Sequence, residues 1–226
     1  MRIVDTPSPN FGPRRNVERP TLLVLHYTGM RSAEESLRRL CDPASEVSAH
    51  YLIDEDGTLH QLVDESQRAW HAGLSYWRGI RDVNSHSIGI ELQNPGHEFG
   101  YRAFPEAQIE TLTALCLSIL ARHPIAAGGI VGHSDIAPDR KTDPGELFPW
   151  WDLAARGIGA YPERGVPTDR PLPGLLAEIG YDPDADDVVA AFQRRFRPGR
   201  IDGQSDAECA ALAAAYLSLI DKDSNN

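Results

Sequence analysis

Thr21-Leu22-Leu23-Val24-Leu25-His26-Tyr27 is a nearly unbroken apolar run that closes on a histidine. Runs of this length and composition are strands buried on both faces. Ser32-Ala33-Glu34-Glu35 follows as a capping box, opening a helix to about Leu40. His50–Asp54 and Thr58–Val63 read as a hairpin with Asp56-Gly57 in its turn. Ser87–Gln93 (SIGIELQ) is a further strand, with Ile88, Ile90 and Leu92 on one face and Glu91 on the other. Pro105 starts the longest helix, marked by Ile109, Leu112, Cys116, Ile119 and Leu120, with Pro124 past its end. Gly129–His133 reads as one more short strand. Strands interleaved with helices predict an α/β fold with a central mixed β-sheet flanked by helices.

From Ile158 to Pro173 the chain turns rich in proline and glycine, as a linker does. Three helical segments follow, at about Gly174–Ile179, Asp187–Arg197 and Asp206–Ile220, the last with a capping box at Ser205 and Glu208. The expected division is residues 1–165 as one domain and 166–226 as linker plus a small three-helix module leaning on it. From Val166 onward the tail holds 6 basic and 11 acidic residues.

The whole chain is 226 residues, 41% hydrophobic and 24% charged, which bounds it to one large domain or one medium domain and a small one. A net charge of −11 excludes nucleic acid as a partner and makes an anionic membrane surface a poor one, since both need a basic footprint. Cys41, Cys116 and Cys209 are odd in number and far apart, so they frame no disulfide scaffold. No apolar run approaches a membrane span. Met1–Pro20 lacks the apolar region of a secretory signal. The cytoplasm is the expected compartment, with periplasm or cell envelope the alternative if a signal was removed. A monomer is the default expectation.

Single histidines are more often packed core than ligands, so position must decide. His26 and His133 both sit at carboxyl ends of predicted strands, where α/β sheets gather functional groups. Asp143 lies ten residues after His133. Two imidazoles and a carboxylate are a donor set for catalytic zinc, leaving a fourth position open. Such an ion lowers the pKa of water there and polarises a carbonyl. Glu91, on a strand otherwise built of Ile, Leu and Gly, is either a general base or a surface carboxylate pairing with an arginine. Lys141 is one of two lysines against twenty arginines, the other being Lys222. It is either an oxyanion stabiliser or a solvated loop residue.

The stretches Leu25–Tyr27 (LHY), Val47–Ile53 (VSAHYLI), Arg68–Gly73 (RAWHAG), Ser87–Glu91 (SIGIE) and Gly132–Gly145 (GHSDIAPDRKTDPG) occur in this order. Together they resemble the type 2 N-acetylmuramoyl-L-alanine amidases of bacteria, relatives of the peptidoglycan recognition proteins. The resemblance spans about residues 20–152. It implies hydrolysis of the amide between N-acetylmuramic acid, or its anhydro form, and L-alanine of the stem peptide, acting on peptidoglycan fragments or murein. It implies zinc held by His26, His133 and Asp143, with Glu91 as acid/base and Lys141 on the oxyanion. Ala49 stands where some relatives carry a catalytic tyrosine, which leaves Glu91 as the base. Tyr27, Trp70 and His71 resemble the wall of the substrate groove, and His50 is either a support for the site or packed core. Val188–Phe196 with Ile201-Asp202-Gly203 resembles a helical peptidoglycan-binding module, with a shortened linker between Arg197 and Ile201. Two other functions share the same residues: a binding protein without catalysis, and a zinc peptidase cutting within the stem.

Overall fold

The computed structural model describes residues 3–223, of which Lys222 and Asp223 only as backbone. Met1, Arg2 and the Lys222 side chain lie outside the described residues. The strands are β1 (Ile3–Asp5), β2 (Phe11–Pro13), β3 (Leu22–Tyr27), β4 (Tyr51–Ile53), β5 (Leu59–Gln61), β6 (Gln67–Ala69), β7 (Ser87–Leu92) and β8 (Ile130–Gly132). The helices are α1 (Ala33–Leu40), α2 (Val83–His86), α3 (Gly96–Phe99), α4 (Glu106–Arg122), α5 (His133–Ile136), α6 (Trp150–Ala155), α7 (Leu172–Ile179), α8 (Val188–Phe196) and α9 (Ala207–Asp223).

Six strands form one mixed sheet in the order β1-β5-β4-β7-β3-β8, in which only β4 and β5 run antiparallel. β2 and β6 make a separate antiparallel ribbon. The predicted hairpin is present: Asp54 N–H donates to Thr58 O at 2.9 Å, and Gly57 supplies the left-handed turn position at φ 84°. A side chain at Gly57 would also meet the Ala107 carbonyl at 2.8 Å. Ser32 caps α1, accepting from Glu35 N–H at 3.2 Å as predicted, while the Glu35 carboxylate accepts from Arg31 N–H at 3.2 Å rather than from Ser32 N–H.

Period-2 alternation sends the strand residues to opposite faces. Leu23, Leu25, Ile88, Ile90 and Ile130 join Leu112, Cys116 and Ile119 of α4 in one core. On the other face Leu22, Val24 and Val131 pack against α7, α8 and α9, through Leu176, Phe192, Phe196 and Tyr216. The tail helices therefore share a core with the sheet. Leu52 joins Leu40 and Ala69 in a third, smaller cluster under α1. Between these last two clusters a polar strip of the sheet is left, carrying His26, His50, Ser87 and Glu91.

Three sequence expectations need correction. β8 ends at Gly132, and His133 is the first residue of α5, because Asp135 accepts from Gly132 N–H at 2.8 Å and turns the chain into a helix. The box at Ser205 and Glu208 does not form. Asp206 caps α9 instead, accepting from Cys209 N–H at 2.9 Å, while Glu208 is drawn to Arg197 at 3.0 Å. α4 shares its length of 17 residues with α9. No helix among the described residues is long and apolar enough to cross a membrane.

Candidate active site

The site begins with register. β3 and β7 are parallel neighbours in which His26 is paired with Glu91, so both side chains leave the sheet on the same face. β8 pairs Gly132 with Leu25, which delivers His133 one residue later beside His26. Ser134 N–H donates to Asp143 O at 2.8 Å, which folds the loop after α5 back and brings Asp143 to the two histidines.

His26 Nδ1 and His133 Nδ1 are 3.0 Å apart, and Asp143 Oδ2 is 3.1 Å from each. All three side chains are buried. Burial would raise the Asp143 carboxyl, but His133 and His26 hold it well below the usual carboxylate range. Burial, reinforced by His133, pushes the His26 imidazole down to about 4, so it is neutral near pH 7. Neutral imidazole and ionised carboxylate are the protonation states that bind metal. In a tetrahedral zinc site with bonds of about 2.0–2.1 Å, ligand atoms stand about 3.3 Å apart. The triangle here is close to that, and the donor set fits the ion.

The outer nitrogens decide which inner ones are free. His133 Nε2 donates to the Ala72 carbonyl at 3.2 Å, leaving Nδ1 unprotonated. For His26 the chain is longer. The Ser87 hydroxyl has one proton and donates it to Val83 O at 2.7 Å. It must therefore accept from His71 Nε2, at 3.1 Å. His71 Nδ1 is then an acceptor, and receives the proton of His26 Nε2 at 3.0 Å. His26 Nδ1 is left with its lone pair facing His133 and Asp143. Gly89 makes room for this relay, since a Cβ there would lie 2.5 Å from the His71 ring.

His133 and Asp143 line a cavity of about 370 Å³, and Glu91 and Lys141 line it with them. Tyr27, Trp70 and His71 form part of the same wall. His26 lies just beneath. Among the described residues Glu91 pairs with no arginine, and its Oε2 is buried without a hydrogen-bond partner. Burial, with Asp143 nearby, holds its carboxyl well above the usual range. Tyr27 Oη is bonded to Thr142 Oγ1 at 3.1 Å and His97 Nδ1 at 2.9 Å. His71 has both ring nitrogens engaged, so it offers a substrate its ring surface only. His50 accepts from Gly89 N–H at 3.0 Å and donates to Gln67 O at 3.1 Å, a fully satisfied buried residue behind His71.

The roles of Ser87, Val83 and Arg14 at the site escaped the sequence reading. Arg14 donates to the carbonyls of Glu65, Ser85 and Ser87 at 2.7–3.1 Å, pinning the start of β7 under the site. Nothing in its proline- and arginine-rich surroundings signals that role.

Residues 16–146 match the family described as N-acetylmuramoyl-L-alanine amidase. The N-acetylmuramoyl-L-alanine amidase AmiD of Escherichia coli K12 is 40% identical over 89% of this chain and 84% of its own. Its solved complex with anhydro-N-acetylmuramic acid-L-Ala-D-γ-Glu-L-Lys superposes with a TM-score of 0.79 over 93% of this chain and 98% of that one, at 38% identity. AmpDh3 of Pseudomonas aeruginosa, in complex with anhydromuramic pentapeptide, gives 0.78 over 92% and 93%, at 33% identity. The 1,6-anhydro-N-acetylmuramyl-L-alanine amidase AmpD of E. coli K12 is 38% identical over 64% of this chain and 86% of its own. With over half its length matched and a relative this similar across nearly all of it, the chain belongs to the N-acetylmuramoyl-L-alanine amidase family.

Proposed function

We propose that this chain hydrolyses the amide between the lactyl group of N-acetylmuramic acid, in its 1,6-anhydro or intact form, and L-alanine of the stem peptide, with zinc held by His26, His133 and Asp143. The observation that carries this reading is the convergence of those three donor atoms within 3.0–3.1 Å of each other beside a cavity that Glu91 and Lys141 share. A zinc ion there supplies Lewis acidity towards the amide carbonyl and acidifies water.

Glu91 accepts the proton of the attacking water and delivers it to the alanine nitrogen as the C–N bond breaks. Its burial suits both halves of that task, because a raised pKa makes a carboxylate a stronger base and favours its acid form for the return of the proton. Lys141 places an ammonium at the cavity wall, where the tetrahedral oxyanion develops. His71 orients His26 through the bond described above, and Trp70 and Tyr27 line the same cavity, where they offer apolar surface to the substrate. Arg39 also reaches this cavity, and its guanidinium has no partner among the described residues. It takes a free carboxylate of the stem peptide, such as the one that a γ-linked glutamate leaves exposed.

The test is mass spectrometry of digests of anhydro-muropeptide and of purified sacculi. Release of a stem peptide beginning at L-alanine is expected, and the better substrate indicates the compartment: the cytoplasm for the anhydro fragment, the envelope for polymer. Glu91→Gln should keep its zinc and lose about 10²–10⁴-fold in kcat. Cuts inside the stem, or tight binding with no product, would overturn the reading.

A further inference from the structure

We infer that the C-terminal helices are part of the catalytic framework, with Arg195 of α8 and Tyr181 after α7 acting as positioning residues for His133 through Asp135. This rests on the reading of His133 as a metal ligand.

Asp135 is 1% exposed and has every strong bond of its carboxylate assigned. Oδ2 accepts from Gly132 N–H at 2.8 Å and from the Arg195 guanidinium at 2.8 Å. Oδ1 accepts from Tyr181 Oη–H at 2.7 Å. The first of these bonds sets the turn by which His133 leaves the sheet. The other two come from residues 46 and 60 positions later in the chain. Arg195 also donates to Ile130 O at 3.2 Å, so it holds β8 as well as the turn that follows it. Its guanidinium lies 4.0 Å over the Trp150 ring. Trp150 and Pro144 in turn close on Gly132, where a Cβ would stand 3.3 Å and 2.7 Å from them. With Ser134 N–H bonded to Asp143 O, one buried cluster sets the backbone of both His133 and Asp143.

A helical module whose task was to bind glycan would need none of this. Its contact with the catalytic domain would be a surface, free to be polar and wet. Here a charge pair is fully buried, an arrangement costly to desolvate and a poor source of stability compared with apolar packing. What it supplies is direction: a carboxylate fixed by three donors holds the N–H of Gly132, and so His133, in one orientation. Metal ligands lose affinity when the groups that orient them are removed.

The full zinc-loaded chain is tested as Tyr181→Phe, Arg195→Met and Arg195→Lys. Zinc transfer to a colorimetric chelator is followed, with kcat and KM on anhydro-muropeptide and retention on purified sacculi. Tyr181→Phe removes one hydroxyl from a packed ring and is expected to fold. It should weaken zinc at least threefold and lower kcat, with KM within twofold. Arg195→Met should exceed tenfold in both, Arg195→Lys should recover part of it, and sacculus retention should match the parent. Zinc affinity and kcat within twofold of the parent in Tyr181→Phe would overturn the inference, whether or not Arg195→Met folds. So would loss of sacculus retention with zinc and kcat intact, which would make the tail a glycan module. A parent chain without zinc or product would instead defeat the functional reading itself.

Discussion

Replacing Ser87 by alanine tests the proton relay that frees His26 for metal. The serine hydroxyl donates to Val83 O at 2.7 Å, and its lone pair takes the proton of His71 Nε2 at 3.1 Å. Alanine leaves that N–H buried with no acceptor, at a cost of about 1–3 kcal/mol. The ring can avoid the cost by carrying its proton on Nδ1. It then presents a donor to His26 Nε2, 3.0 Å away, and His26 must move its own proton to Nδ1. That nitrogen faces His133 and Asp143, so zinc can bind only after the proton is returned and the same cost is met. Converted to an equilibrium constant, about 1–3 kcal/mol is roughly 5- to 150-fold in zinc affinity. The expected loss lies between, at about 10–100-fold. Zinc transfer to a chelator reads it directly, with the thermal midpoint of the zinc-free protein as control for folding. Zinc affinity within twofold of the parent, in a protein of unchanged stability, would refute the assignment of tautomers.

Gly89→Ala should act on the same relay from beneath, because its Cβ would lie 2.5 Å from the His71 ring; we expect a loss of about 1–3 kcal/mol in stability together with weakened zinc binding, read by denaturant titration and chelator competition. His50 is held down to about 4 by burial and then by the Arg14 charge, so between pH 6.5 and 4 the unfolded chain binds the proton that the folded one refuses, and stability falls as pH falls. That gap bounds the His50 contribution at about 3 kcal/mol, and His50→Gln should flatten the stability slope across this window; an unchanged slope would remove His50 from the account. Arg39→Ala should raise KM for muropeptide about 2–5-fold with kcat unchanged, the size expected of one exposed ion pair, and the effect should shrink in salt.

The parts of this molecule that could be read from sequence are those whose cause is local. Thr21–Tyr27 is a buried strand because its apolar content leaves no other choice, and His26 was placed by being its penultimate residue. Glu91 was legible because three apolar neighbours at alternate positions had already claimed the opposite face. Asp206 shows the limit of the method even at short range: a serine, an aspartate and a glutamate within four residues allow two caps, and Arg197 selects between them. β1, β2 and β6 were not legible at all. Each is three residues long, and apart from the buried Ala69 their side chains are exposed or half-exposed, too few to carry an alternation strong enough to see. They exist because a neighbouring strand supplies hydrogen bonds. The orientation of His71 was equally hidden, since it depends on one hydroxyl proton of Ser87 going to Val83 and on the missing side chain of Gly89.

The acidity of the chain illustrates the same difference between whole and part. A net −11 argues against a nucleic-acid partner, yet it says nothing of the cavity, whose wall contains Arg39, Arg140 and Lys141 against Glu91 and Asp143. Asp143 is buried and turned towards His26 and His133, and Glu91 is held towards its neutral form. Arg140 is committed to the carbonyls of Ala72 and Leu74, which leaves its charge facing the opening. The surplus carboxylates lie elsewhere and serve other ends: Asp202, Asp206 and Glu208 surround Arg197 at the start of α9, and Glu65 ties Arg122 and His123 to the far edge. The cavity thus gathers three cationic side chains in a negative protein, a local balance suited to an anionic ligand. Charge summed over a chain limits its partners only when that charge is spread evenly, and here the fold has sorted it.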